Sequence, residues 1–380
     1  MQGTLRDRLV KGLGAQGYGQ AVNVLIQIAT VPLLIYVWGV ELYGEWLILS
    51  AMPVYLTMSD VGFGNAAQNE MTMAAGRGDR SAVVEALQSV WLLVAAVSVV
   101  VFVVVAGAAS LLPVADWFDL TALGSRAVTV IILLLSLQVL VSLQTGLVYS
   151  GFHCKGRYGL GQFLMANIRL LEFALLVVAV VAGGGPTGAA AALLAGRVMG
   201  TVAMRTMLWR VNPEITFGWR HARRETIRRL AGPALGFMAF PFGNALNLQG
   251  MVILVGAVLG PPAVAVFATL RTLTRFGLQL VSAVNRTVQA EISAAYGKGD
   301  SDLQRRLHHL ACQAALCATV ATALALAVFG SWILALWTDG AVGMDRTLFY
   351  LLLAVLITHG MWHASLMLAF ATNRHQGIAL

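Results

Sequence analysis

Apolar runs of about 20 residues, the length that crosses a bilayer as a helix, recur along this chain between short polar stretches. They predict ten membrane-spanning helices: Tyr18–Trp38, Tyr43–Gly64, Val83–Leu112, Val128–Ser150, Gly159–Val181, Ala189–Leu208, Pro233–Leu259, Ala263–Ile292, Leu307–Ala335 and Thr347–Ala371. The first run reaches spanning length, so it does not read as a cleavable leader.

The pattern contains a repeat. Ala74-Ala75-Gly76-Arg77-Gly78-Asp79 returns as Ala295-Tyr296-Gly297-Lys298-Gly299-Asp300, 221 residues later. At the same offset Gln68 and Glu70 fall on Gln289 and Glu291, Gly39 on Gly260, Leu25 on Leu246 and Asn23 on Asn244. Two related halves, each rich in apolar runs, predict an all-α integral membrane protein of two repeat-related bundles, an architecture mainly of transporters. The expected domains are a six-helix bundle over 1–211, a cytoplasmic basic linker helix over 212–230, and an incomplete four-helix bundle over 231–380. The chain stops where a counterpart of the fifth span would begin, which is expected either from a truncated gene product, the favoured reading, or from a shortened second half.

Composition fixes the solvent. Hydrophobic residues are 58% of 380 and charged residues 11%, whereas a soluble domain carries roughly 25% charged residues; a water-soluble globule is excluded. The net charge of +8 does not point to nucleic acid, because the basic residues sit in short loops between spans and set topology instead. One set of loops holds Arg6, Arg8, Lys11, Arg77, Arg80, Lys155, Arg157, the arginines of 210–229, Lys298, Arg305, Arg306 and Arg374; the other holds mainly Glu41, Asp116, Asp119, Asp339 and Asp345. Both termini are therefore expected in the cytoplasm. The basic segment His221–Leu230 is expected to lie as a helix on the anionic leaflet, with membrane lipids as its partners. Cys154, Cys312 and Cys317 show no metal spacing and read as packing residues.

Polar residues inside spans are costly, so their placement carries information. Arg271, Arg275, Gln279, Ser282 and Arg286 share one face of the eighth span, a face unsuited to lipid. Arg271 and Arg275 suit an anionic ligand, since a guanidinium can bond two phosphate oxygens at once; the structural alternative pairs them with Glu45, Asp60 or Glu172. Gln16, Gln20, Asn23 and Gln27 form an amide stripe fit either for sugar hydroxyls or for interhelical hydrogen bonds. Asn23 and its repeat mate Asn244, with Asn247 one turn on, suggest that the first helix of each half faces a central cavity. Pro32 and Pro241 permit kinks there. Arg169 and Glu172, three apart, are expected to form an ion pair. Asp60, Glu45 and Glu172 are candidates for coupling to H+ or Na+; no cofactor and no metal is expected, and His359 with His363 reads first as packing. The Gly-Arg/Lys-Gly-Asp turns lack P-loop spacing and read as hairpins with an acid starting the next helix.

Tyr43-Gly44-Glu45-Trp46, then Tyr55-Leu56-Thr57-Met58-Ser59-Asp60-Val61-Gly62-Phe63-Gly64-Asn65-Ala66, then Ala75-Gly76-Arg77-Gly78-Asp79 resemble the second span and loop of Wzx-type polysaccharide flippases, of the multidrug/oligosaccharidyl-lipid/polysaccharide exporter superfamily. Ala268-Thr269-Leu270-Arg271-Thr272-Leu273 is similar to the corresponding span of the second half, and the resemblance covers nearly the whole chain. It implies a MATE-like architecture. It also implies flipping of undecaprenyl-diphosphate-linked oligosaccharide across the bacterial inner membrane for surface polysaccharide, by alternating access, alongside polysaccharide biosynthesis machinery. By position, Arg271 and Arg275 would take the diphosphate. The competing expectations are a MATE-like multidrug or cation antiporter, whose cavity should be anionic, an inactive remnant of a flippase, and a membrane polymerase or ligase. The last needs a sizeable outer loop, and the loops around Asp116 and Asp339 are short, so a non-enzyme is expected.

Overall fold

A computed structural model describes the backbone of residues 5–297 and 301–371, and the side chains of 14–235, 242–243, 245–276, 278 and 301–365. The described residues are helices joined by short turns, with no strand among them. In order they are α1 (Leu5–Val54), a 3-10 turn (Tyr55–Met58), α2 (Phe63–Gly76), α3 (Arg80–Leu111), the single turn α4 (Val114–Trp117), α5 (Ser125–His153), α6 (Tyr158–Val181) and α7 (Gly185–Val211). Then come α8 (Arg224–Ala245), a π turn (Leu246–Gly250), α9 (Met251–Gly297), α10 (Ser301–Thr338) and α11 (Arg346–Ala371).

Among the described residues, eight helical stretches are long and apolar enough to cross a membrane. The first, Gly14–Met58, has 45 residues, about 68 Å at 1.5 Å per residue, which is twice the hydrocarbon core. It cannot be one span. The break is at Gly39, where φ 77 and ψ 173 leave the helical region, and α9 breaks in the same way at Gly260, with φ 78 and ψ 176. Each glycine turns one continuous hydrogen-bonded run into two rods. Divided at these glycines, the eight stretches make ten rods. Pro32 stays within helical backbone, and the non-helical residue of α1 is Gly39. Only glycine tolerates this φ/ψ region readily.

The expected second span, Tyr43–Gly64, is not one helix. It winds into the 3-10 turn, reverses through 59–62, and resumes as α2 to Gly76. The start of α3 follows the expected acid: Asp79 accepts from the Ala82 amide at 3.0 Å and the Ser81 hydroxyl at 2.7 Å. The repeat copy of this turn at 298–300 lies outside the described residues.

The chain forms two compact units, Met1–Pro261 and Pro262–Leu380. The boundary between them falls at the Gly260 corner. In the first unit α8 packs on α2 and α3. An apolar core in this unit gathers Met71, Leu87, Phe152, Met204 and Leu208 with small residues of α2 and α3. Helices approach closely where side chains vanish. A Cβ on Gly200 would sit 2.6 Å from Ile168, one on Gly151 2.7 Å from Leu208, and one on Gly330, in the second unit, 2.6 Å from Phe349. Small residues at contacts are the packing rule where lipid removes the hydrophobic drive between helices. Outward, α3 shows Val99, Val100, Val103 and Val104, each more than 60% exposed, a face that suits acyl chains rather than water. The chain is thus a multi-pass membrane protein.

The basic segment differs from expectation. Residues 212–223 form no helix, and the helix that starts at Arg224 continues into α8. The segment is tied to protein. Gln88, buried in α3, donates to the Thr216 carbonyl at 3.0 Å and accepts from the His221 amide at 2.9 Å; Ser89 accepts from the Arg223 amide at 2.8 Å. Thr226 donates to Glu85, which also pairs with Arg223 at 3.3 Å.

Candidate functional site

The three carboxylates expected to couple ions have structural partners. Asp60 accepts the amide of Gly62 at 3.0 Å on one oxygen and that of Gly64 at 3.1 Å on the other. It caps α2 after a reversal in which Val61 and Gly62 have positive φ. A Cβ on Gly64 would lie 2.8 Å from the carboxylate. The Asp-Val-Gly-Phe-Gly motif is therefore a cap: the acid satisfies orphan amides, one glycine makes the turn, and the other makes room. Asp60, a candidate for ion coupling, thus has both carboxylate oxygens on backbone amides at the start of α2.

Glu45 is fully buried and accepts the Ala122 amide at 2.8 Å, pinning the turn before α5, while Glu41 accepts the Thr121 hydroxyl at 3.1 Å. The second oxygen of Glu45 is buried without a hydrogen-bond partner. In the same motif, a side chain on Gly44 would overlap the Pro261 carbonyl.

Glu172 belongs to a buried network that sequence reading missed. Arg197 of α7 grips it with two hydrogen bonds, Nε to one oxygen at 2.8 Å and an outer nitrogen to the other at 2.7 Å. Gln138 of α5 adds a third at 2.7 Å. The Arg169–Glu172 pair expected from spacing is corrected: Arg169 is exposed, and the partner comes from the next helix. The close fit has a cause. A Cβ on Gly196 would lie 2.9 Å from the Glu172 backbone, so the missing side chain lets α7 seat against α6. The available signal was an arginine between two glycines, Gly196 and Gly200, inside an apolar run.

The amide stripe lies on the part of α1 that packs on α6. Tyr18 donates to Asn167 at 3.3 Å and its ring meets Phe163 at 5.0 Å. Gln20, Asn23 and Gln27 are partly buried, and neither Gln20 nor Gln27 is free of interactions. Asn247 is exposed in the π turn between α8 and α9. Such a turn carries an unsatisfied or stretched hydrogen-bond register and recurs at functional sites. The side chain of Asn244 lies outside the described residues, so its juxtaposition with Asn23 is an expectation only.

In the second unit, Arg271 and Arg275 are both partly buried on α9. The Arg271 guanidinium lies 4.8 Å over the Phe267 ring. Arg275 is within electrostatic range of His359 on α11, which stacks on His363 at 6.3 Å and meets Trp362 edge-on at 5.6 Å. Arg275 forms no ion pair among the described residues. The sequence offers it little: the nearest acid on its helix is Glu291, more than four turns on, and Asp302, Asp339 and Asp345 lie near helix ends. The side chain of Gln279 lies outside the described residues. The two histidines do not gather a third ligand among the described residues. What the arrangement offers chemically is a row of hydrogen-bond donors with positive charge in a membrane helix.

Solved structures share this fold. An inward-facing multidrug resistance MATE family transporter of the MOP superfamily superposes with a TM-score of 0.70 at 16% identity, covering 93% of this chain and 81% of that one. A MOP superfamily transporter from Pyrococcus furiosus, described as having a binding pocket of reverse polarity that suggests a different function, gives 0.67 at 15% identity over 98% and 84%. The MATE multidrug transporter DinF-BH, in complex with R6G, gives 0.66 at 13% identity over 99% and 85%. No family model matches the sequence, and no curated protein matches it. At these identities the likeness shows the fold, and the chain has the MATE fold.

Proposed function

We propose that this chain is a flippase that moves a polyprenyl-diphosphate-linked oligosaccharide across the bacterial inner membrane by alternating access, feeding surface polysaccharide synthesis. The observation that carries the reading is Arg275: a partly buried guanidinium in a membrane-spanning helix, beside His359, with no carboxylate paired to it among the described residues. An uncompensated cation inside a bilayer is costly and is kept where it meets a ligand or a wet path. A diphosphate presents paired oxygens to a guanidinium fork, and Arg271 one turn away extends the same face. The glycan and diphosphate would cross in that polar environment while the prenyl tail stays in lipid. H+ or Na+ drives the cycle in this reading, and the glycan-building machinery is the partner that supplies the substrate.

The second reading is a multidrug or cation antiporter, favoured by the names of the structural relatives. A cationic drug calls for accessible carboxylates, and here Asp60 and Glu172 are committed to a helix cap and to Arg197. It therefore ranks below.

The test uses a strain whose surface glycan depends on this gene. Joint Arg271→Gln and Arg275→Gln replacement should abolish surface polysaccharide and accumulate the lipid-linked unit on the inner leaflet, with the protein present at normal level. Unchanged glycan would overturn the assignment. Drug sensitivity in the deletion strain with normal glycan would favour the antiporter.

A further inference from the structure

The first unit carries another cationic feature, which the proposed transport does not use. After α7 ends at Val211, residues 212–217 fold back beside its last turns. The Asn212 amide bonds the Leu208 carbonyl at 2.7 Å, the Ile215 amide bonds the Asn212 carbonyl at 3.1 Å, and Gln88 holds Thr216 from the far side. Between helix and return lies a cleft of about 280 Å³ lined by Arg205, Leu208, Trp209, Ile215, Thr216 and Phe217. Its floor is apolar and buried, with Leu208 and Ile215 only 1% and 3% exposed, while Trp209 on its flank is 64% exposed.

The geometry points to a binding site for the headgroup of an anionic phospholipid from the leaflet at this end of the bundle. The Arg205 guanidinium sits 4.8 Å over the Phe217 ring, and Trp91 braces that ring edge-on at 6.2 Å. Stacked so, the guanidinium keeps its edge N–H groups for other acceptors, in the fork that matches two phosphate oxygens. The one acid in the returning segment does not compete for it: Glu214 is held by Lys155 at 3.1 Å and Arg80 at 3.3 Å. Arg205 is exposed and forms no ion pair among the described residues.

Position selects a lipid over a soluble anion. α7 is a membrane-spanning helix, and Arg205 lies about 9 Å below its end at 1.5 Å per residue, a depth from which an arginine side chain reaches the headgroups. An exposed tryptophan beside it belongs at the same level. The apolar floor takes the glycerol and first methylenes while the guanidinium takes the phosphate. Arg210, exposed one residue on from Trp209, adds attraction for an anionic surface. A lipid seated here would brace the return that leads into α8.

The experiment is native mass spectrometry of the full chain released from micelles doped with phosphatidylglycerol or phosphatidylcholine, with melting followed in parallel. Wild type should retain phosphatidylglycerol in preference to phosphatidylcholine and melt higher with it. Arg205→Gln should weaken that retention about tenfold, the loss of one charge-assisted contact. Arg205→Lys should be intermediate, and Arg220→Gln, outside the cleft, should match wild type. Trp209→Ala, a change to an exposed side chain, should also lose retention and serves if Arg205→Gln is poorly folded. Retention by Arg205→Gln and Trp209→Ala equal to that of wild type, or no preference between the two lipids, would overturn the site. So would displacement of the lipid by excess inorganic phosphate, which would make the cleft a soluble-anion pocket. None of these outcomes bears on transport by the second unit.

Discussion

Arg197 and Glu172 face each other across α6 and α7 in a two-pronged ion pair, both side chains about nine-tenths buried. The pair ties α6 to α7 and satisfies both charges where they are buried. Breaking such a pair leaves one charge alone in the interior, which costs about 3–5 kcal/mol, whereas replacing both groups by apolar residues is often close to neutral. Arg197→Met or Glu172→Met alone should lower thermal stability sharply in fluorescence-detected size exclusion. The double variant should recover most of it. A double variant as unstable as either single one would show that the pair is not what holds α7 on α6.

Gly39 and Gly260 carry the same strained backbone with nothing within 4 Å of where a Cβ would stand. Alanine at either should therefore cost conformational strain alone, about 1–3 kcal/mol. Gly44→Ala should be worse, because its Cβ would overlap the Pro261 carbonyl and backbone must move. Melting temperatures of the three variants, ranked, check this.

Asp60 should behave as a cap. Asp60→Ala orphans the amides of Gly62 and Gly64 and should destabilise by about 1–2 kcal/mol, while Asp60→Asn keeps one acceptor oxygen and should lose less. Ion dependence of transport should survive in Asp60→Asn. Its loss in a stably folded Asn variant would restore the acid to the coupling mechanism.

Asp79 gives a pH signature outside the spans. The Ala82 amide, then the Ser81 hydroxyl, hold its carboxyl below the usual carboxylate range. A depressed folded pKa means that the cap contributes fully above the unfolded value of about 3.9 and is lost as pH falls through the folded value. Hydrogen exchange at the first turn of α3 should be faster in Asp79→Ala than in wild type at neutral pH. The difference in protection should shrink in acid.

The sequence determined what is local or periodic. Apolar runs set the solvent and the spans. The 221-residue offset paired Gly39 with Gly260, and those two residues adopt matching dihedrals. The acid at Asp79 marked the start of α3. Each of these needs only neighbours along the chain, or a second copy of the same stretch, to be read.

Tertiary structure decided which polar groups meet. The spacing rule proposed Arg169 for Glu172, but a helix face offers several neighbours, and only the seating of Gly196 on α6 placed Arg197 there. Gln88 and Ser89 look like ordinary polar residues at the head of a span until the returning segment 212–223 brings Thr216, His221 and Arg223 to them, more than 120 residues away in sequence. Glu45 reads as an ion-coupling candidate because the Ala122 amide that binds it comes from 77 residues away and carries no side-chain identity. Amides exist at every position but proline, so no pattern of residue types could mark those partners; only the path of the chain could.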